Sequence, residues 1–426
     1  MEEKQYQLSR RAAYTTLIVL SILQLIDFAD RSILAISLPY IKNEFSLTDK
    51  QAGMLPALLQ LGIAIFTVPS AMLADRWARR KIIPLMDLVW STFTLLTSLA
   101  TRPWHLFVAR FMVGSGEAGY AVAGQTWLSV IFPKSARSRV ISIFTMCHQL
   151  GLALGLFMGG FLISRTGMWQ VPFYFFGFIG LAMAFVVYFL PDYKVSNQNE
   201  ALFDKAYFRS WGEIFRIRTY VFNMIGLIFL YAGANSIPSW TPTLLMRAYG
   251  SGVAKVGMTL GFLGLLTFFS PLGGFLADRW QGRDQCGRLK FTTLLIIVTM
   301  PVGIVLWASA GIIPFYLWMV GYGFLLICLA FLHPVTQTIM HDVVPVRVRA
   351  SAFGTQNFIA QLLGGFTGPL LVGVISDSFR RGIRGLKWGL GASTAVMALT
   401  IITMTINMKY YPSDSSKISD VVLAEK

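Results

Sequence analysis

The sequence predicts an all-α integral membrane protein with twelve transmembrane helices in two six-helix bundles. Three observations support this fold class. Of the 426 residues, 55% are hydrophobic and only 13% are charged, whereas about a quarter of the residues of a soluble domain are charged. The pentapeptide Leu-Ala-Asp-Arg-Trp occurs twice, at 73–77 and at 276–280, each time where an apolar stretch ends beside a basic cluster. Lysine and arginine are concentrated in alternate loops.

Twelve apolar stretches are long enough to cross a bilayer, which takes about 20 helical residues. In chain order they cover about 14–39, 52–74, 82–100, 104–131, 139–164, 169–190, 219–246, 253–277, 290–309, 311–338, 350–376 and 386–411. The polar segment 191–218 mixes charged and aromatic residues, and we interpret it as a cytoplasmic linker with an amphipathic segment. It separates an N-terminal six-helix bundle at 1–190 from a C-terminal six-helix bundle at 219–426.

The distribution of positive charge predicts the orientation. Most of the 36 lysine and arginine residues fall in the two tails and in every second loop, so by the positive-inside rule both termini are cytoplasmic. The last outer loop departs from the rule because it carries Arg380, Arg381, Arg384 and Lys387. Since the cytoplasmic loops account for the net charge of +16, that charge does not indicate a nucleic-acid partner. The sequence has no Asn-x-Ser/Thr acceptor, and we expect a multi-pass protein of the bacterial inner membrane.

The two halves also match around a glycine-rich helix. The fifth predicted helix follows Arg137-Ser-Arg139, and the eleventh follows Arg347-Val-Arg349. Glycines four apart lie on one helix face and permit close packing of two backbones. They are Gly151, Gly155, Gly159 and Gly160 in the fifth helix, and Gly364, Gly365, Gly368 and Gly373 in the eleventh. Together with the repeated pentapeptide, this match predicts a duplicated membrane transporter.

These segments resemble those of a known family. Ala71–Lys81 resembles the motif between helices 2 and 3 of the major facilitator superfamily, and Gly151–Gly160 resembles the antiporter motif of that superfamily. Within it, Arg110–Tyr120 and Val344–Ala350 are most similar to spinster-type transporters. The pair Asp30-Arg31 also resembles the anion:cation symporters that carry sugar acids. The substrate class therefore stays open at this point.

Five charged residues lie inside two of the predicted helices. A charged side chain at the bilayer centre costs at least about 2.5–3.5 kcal/mol, so each needs a partner or a water-filled cavity. Helix 1 carries Asp27, Asp30 and Arg31, and helix 4 carries Arg110 and Glu117. Asp27 and Arg31 share a helix face at a spacing of four, as do Arg110 and Glu117 at two turns. The resemblance implies that both helices line the transport cavity.

From these charges we predict a proton-coupling network of Asp30, Arg31, Arg110 and Glu117. Burial raises the proton affinity of a carboxylate and a nearby arginine lowers it. An arginine that moves during the transport cycle would therefore load and unload the carboxylate. The alternative is that the four residues are structural ion pairs between helices 1 and 4. Asp27 is as compatible with a structural pair as with a functional role.

Further candidates bind substrate or close the cytoplasmic side. We predict substrate-binding roles for Arg31, Arg110, Glu117, Tyr120, His333 and Trp240. The resemblance implies a cytoplasmic gate in which an acid lies at the positive N-terminal end of another helix; its members are Asp75, Arg76, Arg79, Asp278 and Arg279. Near the start of helix 3, Asp87 is expected to pair with a loop arginine.

The predicted function is proton-coupled secondary active transport, by alternating access, of an amphipathic or lipid-like substrate of the lysophospholipid or sphingoid type. The alternative is a proton-coupled symporter of sugar acids or other organic anions. An enzyme is not expected, because the sequence has no His-Glu-x-x-His or Gly-x-Ser-x-Gly motif. No cofactor or metal is implied. The expected partners are membrane lipid, protons and a small amphipathic or anionic substrate, and the chain is expected to be a monomer.

The predicted orientation can be tested with a single cysteine in the linker. We expect a cysteine at Asn199, in a background without Cys147, Cys286 and Cys328, to resist a membrane-impermeant maleimide in intact cells. Permeabilising the cells should restore labelling. A cysteine at Met168, in a predicted outer loop, is the control that should react in both conditions. Labelling of the Asn199 position from outside intact cells would show that the predicted topology is wrong.

Overall fold

The computed structural model describes residues 8–192, 212–345, 348–379 and 382–424. Most of the predicted linker, together with Arg347, Arg380 and Arg381, lies outside the described residues. The described part of the chain is helical nearly throughout and contains no β-strand. The all-α prediction is therefore confirmed.

The helices follow one another through short connections. In chain order they are α1 (Arg10–Glu44), α2 (Asp49–Arg76), α3 (Arg79–Ser98), α4 (Pro103–Glu117), α5 (Tyr120–Ile131), α6 (Lys134–Thr166), α7 (Gln170–Tyr188), α8 (Arg218–Tyr249), α9 (Val253–Gly264), α10 (Ser270–Gln281), α11 (Gly287–Ser309), α12 (Phe315–Val343), α13 (Arg349–Ala360), α14 (Thr367–Ser378), α15 (Ile383–Asn407) and α16 (Tyr411–Ala424).

The twelve predicted segments coincide within a few residues with these helices. Three of the segments are interrupted: by Ala118–Gly119 between α4 and α5, by the 3-10 turn Leu265–Phe269, and by the π-helical turn Gln361–Gly365. Within the described ranges, nine helical stretches are long and apolar enough to cross a membrane. The stretches α2, α3 and α4–α5 are helical but are not among the nine, so the count of twelve crossings stays a prediction.

Local sequence explains where several helices begin and end. Thr48 accepts a hydrogen bond from the backbone N–H of Gln51, whose side chain in turn accepts from the N–H of Thr48. This capping box starts α2 by satisfying two donors that the helix leaves free. Pro103 starts α4, where its missing N–H costs nothing. Gly167, with a φ of 72°, ends α6 in the left-handed conformation that glycine adopts without strain.

The chain forms two compact units. The first comprises Met1–Leu202, Thr241–Met246 and Gly250–Leu265, and the second comprises Phe203–Trp240, Arg247–Tyr249 and Leu266–Lys426. In the first unit α6 packs against both α1 and α9, and in the second α15 packs against α11 and α14. The predicted division into 1–190, 191–218 and 219–426 follows the sequence repeat and stays a prediction.

Glycines set the distance between helices in both units. A Cβ on Gly155 of α6 would collide with the backbone of Ala29 in α1, and Gly160 lies against Gly257 of α9. In the second unit, Gly368 makes the corresponding close approach to the backbone of α8. Because no side chain separates the backbones at these points, the helices pack closely without hydrophobic driving force from the lipid. The close packing predicted from the glycine spacing is therefore confirmed.

A last helix that the sequence pattern did not predict, α16, joins the chain end to the second unit. Tyr411 is buried and donates its hydroxyl hydrogen to Asp342 at the end of α12, with 2.6 Å between the oxygens. Asp414 accepts hydrogen bonds from the backbone N–H and the hydroxyl of Thr219, at 3.1 and 2.9 Å. The carboxylate lies at the positive N-terminal end of α8 and satisfies a free N–H there. The prediction extended the twelfth stretch to 411, whereas α15 ends at Asn407.

Candidate functional site

Two glycines let α4 come close to its neighbours in the first unit. A Cβ on Gly114 would collide with the backbone of Leu59 in α2, and one on Gly116 with the backbone of Trp90 in α3. Only a residue without a side chain fits at each contact. Glu117 is the last residue of α4 and is 2% exposed. The close packing of α4 therefore places this carboxyl inside the unit.

Arg31 of α1 binds two carboxyls at once. Its Nε lies 2.9 Å from Oε2 of Glu117, and its Nη2 lies 3.5 Å from Oδ2 of Asp27. The guanidinium carbon lies 4.2 Å from the centroid of the Phe28 ring, which stacks on the ring of His148. Asp27 is completely buried, whereas 20% of the Arg31 side chain is exposed. Arg31 is thus the member of this group whose side chain is not completely buried.

Arg110 of α4 forms a separate, fully buried group with Asp30. Its Nη1 lies 3.9 Å from Oδ2 of Asp30, and its Nη2 donates a hydrogen bond of 2.9 Å to Oγ1 of Thr97. The hydroxyl of Thr94 donates to the same Asp30 oxygen at 2.9 Å. The guanidinium also lies over the ring of Phe173, 5.1 Å from its centroid. Helix α3 therefore supplies both threonines that hold this pair.

The structure brings the four predicted network residues together but pairs them across helices. The sequence placed Arg110 and Glu117 on one face of helix 4, whereas Arg110 binds Asp30 and Glu117 binds Arg31. With Asp27, whose role the sequence left open, the network contains three carboxyls and two guanidinium groups. Among the described residues no group of three or more His, Cys, Asp or Glu side chains is arranged to hold a metal ion.

Several buried atoms of this network have no hydrogen-bond partner within the described part of the chain. They are both carboxyl oxygens of Asp27 and of Glu117, Oδ1 of Asp30, and Nε and Nη1 of Arg110. Nε of Arg31 is close to Glu117 but is not directed at it as a hydrogen bond requires. A buried polar atom without a partner costs about 1–3 kcal/mol. The carboxyl oxygens can each accept from a further donor, and the two Arg110 nitrogens can donate to a further acceptor.

The other predicted substrate-binding residues differ in their exposure. Tyr120 is fully buried, and its hydroxyl donates to the backbone oxygen of Leu20 at 2.6 Å. Trp240 is also fully buried, and its indole N–H donates to the backbone oxygen of Pro369 at 3.0 Å. Neither side chain has an open surface for a ligand, so the structure does not support the expectation that they line a cavity. His333 of α12, in contrast, is exposed.

The predicted gate residues of the first repeat are only partly described. Asp75 and Arg76 lie in the last turn of α2, and their side chains are outside the described residues. Arg79 begins α3, is 4% exposed, and donates from Nη1 to the backbone oxygen of Trp77 at 3.5 Å. Its burial shows that this basic residue belongs to the fold of the loop and is not simply solvated.

In the second repeat, Asp278 belongs to an ionic cluster that the sequence did not predict. Arg288, at the start of α11, donates to Oδ1 of Asp278 from Nε at 2.9 Å and from Nη2 at 2.8 Å. Its Nη1 donates to Asp342 at 2.5 Å, which also accepts from Tyr411. Arg279 is exposed. The cluster joins the ends of α10, α11 and α12 to α16, and only the tertiary fold brings these distant positions together.

Asp87 of α3 departs from the expectation of a loop partner. It is fully buried and accepts a hydrogen bond of 2.9 Å from the hydroxyl of Ser91, while its Oδ2 has no partner among the described residues. No arginine pairs with it in the described part of the chain. The expectation fails because Asp87 lies about two helical turns beyond the start of α3, where the side chain is already in the packed interior of the unit.

Comparison with known proteins identifies the relatives of this chain. A family model described as Major Facilitator Superfamily matches residues 20–369. The chain is 26% identical over 408 residues to an MFS-type efflux pump of Mycolicibacterium smegmatis, covering 93% of this chain and 91% of that protein. It is 25% identical over 390 residues to the sphingosine-1-phosphate transporter SPNS2 of Xenopus tropicalis, covering 86% of this chain and 74% of that protein.

One solved structure shows the same fold over nearly the whole chain. It is a bacterial homolog of the human lysosomal transporter Spinster, in an inward-facing and occupied conformation. The match has a TM-score of 0.81 at 20% identity, and it covers 96% of this chain and 99% of that one. The match shows a shared fold.

Replacing Arg110 by alanine should destabilise the protein strongly. The change leaves the buried carboxylate of Asp30 without its cation, and breaking a buried pair in this way costs about 3–5 kcal/mol. We expect a large fall in melting temperature of the purified protein in detergent. The control, Arg139→Ala, removes an exposed arginine of α6 and should change stability by no more than about 0.5 kcal/mol. Equal melting temperatures for the two variants would show that Asp30 does not depend on Arg110.

Proposed function

Since the chain belongs to the major facilitator superfamily and is a membrane transporter and not an enzyme, we propose that it is a secondary active transporter that works by alternating access and couples its substrate to protons. The buried network of α1 and α4 carries this proposal. Three carboxyls and two guanidinium groups leave one negative charge in excess when all five are ionised. Because a charge in the bilayer core is costly, one proton on a carboxyl makes the network neutral.

The two ion pairs differ in a way that suits proton coupling. The Arg110–Asp30 pair is fully buried and held by Thr94 and Thr97, so we assign it a positioning role. The Arg31–Glu117 pair is partly open to solvent through Arg31. When the guanidinium is close, the carboxylate of Glu117 is stabilised; when it withdraws, burial favours the protonated form. Glu117 is therefore the proposed proton carrier, and Arg31 and Arg110 modulate it.

For the substrate we propose an amphipathic or lipid-like molecule of the lysophospholipid or sphingoid type. A relative is named a sphingosine-1-phosphate transporter, which supports this class. The alternative substrate, a sugar acid, would need both arginines free to bind its carboxylate. Arg110 is fully buried and committed to Asp30 and Thr97, so only Arg31 is available to an anion. We propose His333 as a further contact, because it is exposed.

We also propose residues for a cytoplasmic gate, a location in the cell and the partners of the chain. Asp75, Arg76 and Arg79 in the first repeat, with Asp278 and Arg279 in the second, are proposed to hold the cytoplasmic side closed. The bond from Arg288 to Asp278 supports an ionic role for the second acid. The chain is a multi-pass membrane protein; we propose that it lies in a bacterial inner membrane with both termini cytoplasmic. It is proposed to act as a monomer with protons and membrane lipid as partners.

The substrate class can be tested by thermal stabilisation. Purified protein is melted with sphingosine-1-phosphate, a lysophospholipid and gluconate in separate samples. A ligand present at 100 times its dissociation constant stabilises the folded state by about 2.7 kcal/mol, which raises the melting temperature by several degrees. We expect this for one of the two lipids and not for gluconate. Stabilisation by gluconate alone would support the organic-anion symporter instead.

Proton coupling is tested with Glu117→Gln. The amide keeps the shape of the side chain and mimics the permanently protonated state. In proteoliposomes without internal ligand, this variant should lose the pH-gradient-driven accumulation of the ligand that stabilises the protein in the thermal assay. It should still bind that ligand and exchange it in counterflow. The control is Glu44→Gln, which changes an exposed carboxyl bonded to Trp169 and should accumulate normally. Normal pH-driven accumulation by Glu117→Gln would show that Glu117 is structural.

A further inference from the structure

The guanidinium of Arg31 binds two carboxyls on an edge that usually binds one. Its Nε and Nη2 are adjacent nitrogens, and together they normally bind both oxygens of a single carboxylate in a bidentate pair. Here Nε takes an oxygen of Glu117 at 2.9 Å, and Nη2 takes an oxygen of Asp27 at 3.5 Å. Oxygens from two different side chains therefore occupy neighbouring positions, and the two carboxyls lie within hydrogen-bonding reach of each other.

Two ionised carboxylates cannot share this position without strong repulsion. Like charges about 3 Å apart are not both ionised in a buried site, and a single proton shared between two carboxyls relieves the repulsion. The proton turns one oxygen into a donor, and the neighbouring carboxylate accepts the hydrogen bond. Both oxygens of Asp27 and both of Glu117 otherwise lack a hydrogen-bond partner among the described residues. A shared proton supplies the missing donor.

We propose that Asp27 and Glu117 hold the coupling proton between them as a carboxyl pair bridged by Arg31, so that Asp27 is a second proton-coupling residue. This inference rests on the proposed proton coupling and assigns a role to a residue that the sequence left equally compatible with structure and function. The proton is then held by two carboxyls and not by Glu117 alone, and its affinity depends on the distance between α1 and α4.

Of the charged and titratable groups around Asp27, Arg31 is the cation that pairs with it. The surrounding groups come from five helices. They are Asp30 and Arg31 of α1, Asp87 of α3, Arg110 and Glu117 of α4, Tyr120 of α5, and Cys147 and His148 of α6. Arg110 is committed to Asp30 and Thr97. The hydroxyl of Tyr120 is bonded to the backbone of α1.

Two of the remaining groups bear on Asp27 in different ways. The carboxyl of Asp87 is fully buried and has no arginine partner among the described residues; burial without a cation favours the uncharged form, so Asp87 adds no charge to the pair. The ring of His148 stacks on Phe28, the ring that also lies against the guanidinium of Arg31. Apart from Arg31, therefore, the neighbours named here offer the pair no arginine that is not already bound to another carboxylate.

The position of the two carboxyls explains how the proton can leave. Asp27 lies in the middle of the continuous helix α1, whereas Glu117 is the last residue of α4, directly before the break at Ala118–Gly119. A shift at that break separates the two carboxyls and ends their repulsion. The same shift opens Glu117 to water and so removes the burial that would hold its proton, while Asp27 keeps Arg31; the shared O–H bond breaks and the proton passes to water. Return of Glu117 to Asp27 restores the high affinity for a proton.

The experiment measures the proton directly in substrate-free protein. Infrared difference spectra of purified protein between acidic and alkaline pH detect the carbonyl stretch of a protonated carboxyl, which a carboxylate lacks. Wild type should show one titrating carboxyl band from the pair. Asp27→Asn and Glu117→Gln should each remove that band from its pH range, because the remaining carboxylate then has Arg31 to itself. An opposite charge this close lowers the pH of titration by about 1–3 units.

Two further variants separate the pair from general effects of charge and folding. Asp27→Glu keeps a carboxyl at this position and should restore a titrating band, which shows that loss of the band in Asp27→Asn does not come from misfolding. Asp87→Asn removes another buried carboxyl of the same unit that does not bind Arg31. It should shift the titration pH of the band by no more than about half as much as Asp27→Asn does, because Asp87 acts on the pair only through space.

The outcomes distinguish this inference from the proposed function. If Asp27→Asn keeps the wild-type band while Glu117→Gln loses it, Glu117 carries the proton alone and the pair is wrong. If Asp87→Asn shifts the band as far as Asp27→Asn does, the effect is one of charge and the pair is again wrong. If neither Asp27→Asn nor Glu117→Gln changes the band, neither residue binds the proton, and both the pair and the proposed role of Glu117 fail.

Discussion

The cluster of three carboxyls and two guanidinium groups that α1 and α4 place inside the first unit is the constraint on which the rest of this structure depends. Charges in a membrane-embedded unit need partners, and the partners come from helices that must approach closely to supply them. Gly114 and Gly116 let α4 lie against the backbones of α2 and α3. Gly155 lets α6 lie against α1 at Ala29, within a turn of the charged positions. The glycines and the charges are therefore parts of one arrangement. The glycines let the helices approach closely, and the buried charges need that close approach to reach their partners.

The two units meet the need for buried polar groups differently. The second unit, in the residues described, buries no Asp, Glu, Lys or Arg. Its interior is bonded through neutral groups: Asn223 donates to Gln356 at 3.1 Å, and Tyr231 donates to Asn357 at 3.1 Å. Amides and hydroxyls satisfy one another without any change of protonation, whereas an odd number of buried charges cannot be neutral without a proton. Among the described residues, the proposed proton chemistry thus belongs to the first unit alone.

The helices and several of their contacts could be predicted from the sequence, whereas the pairing of charges between helices could not, for a physical reason. Helix class and the close packing at glycines follow from periodicity, and the contact of Asp27 with Arg31 follows from their spacing on one helix. Which carboxyl of another helix an arginine binds does not follow from sequence spacing. Whether Arg110 binds Asp30 or Glu117 depends on the rotation of α4 about its axis and on the threonines that α3 contributes. Burial of Asp87 and the docking of α16 likewise depend on tertiary contacts that no local pattern encodes.

In the proposed mechanism Arg31 links the carboxyl pair to the substrate, because it is both the cation of the pair and the member with an exposed surface. An anionic headgroup that binds the guanidinium weakens its hold on Glu117 and Asp27, and the pair then needs a proton more. Linkage is reciprocal, so a proton on the pair must free Arg31 to the same extent and favour binding of the anion. Binding of substrate and binding of the proton therefore reinforce each other through one side chain. Arg110 does not bind the substrate in this scheme, since it is fully buried with Asp30.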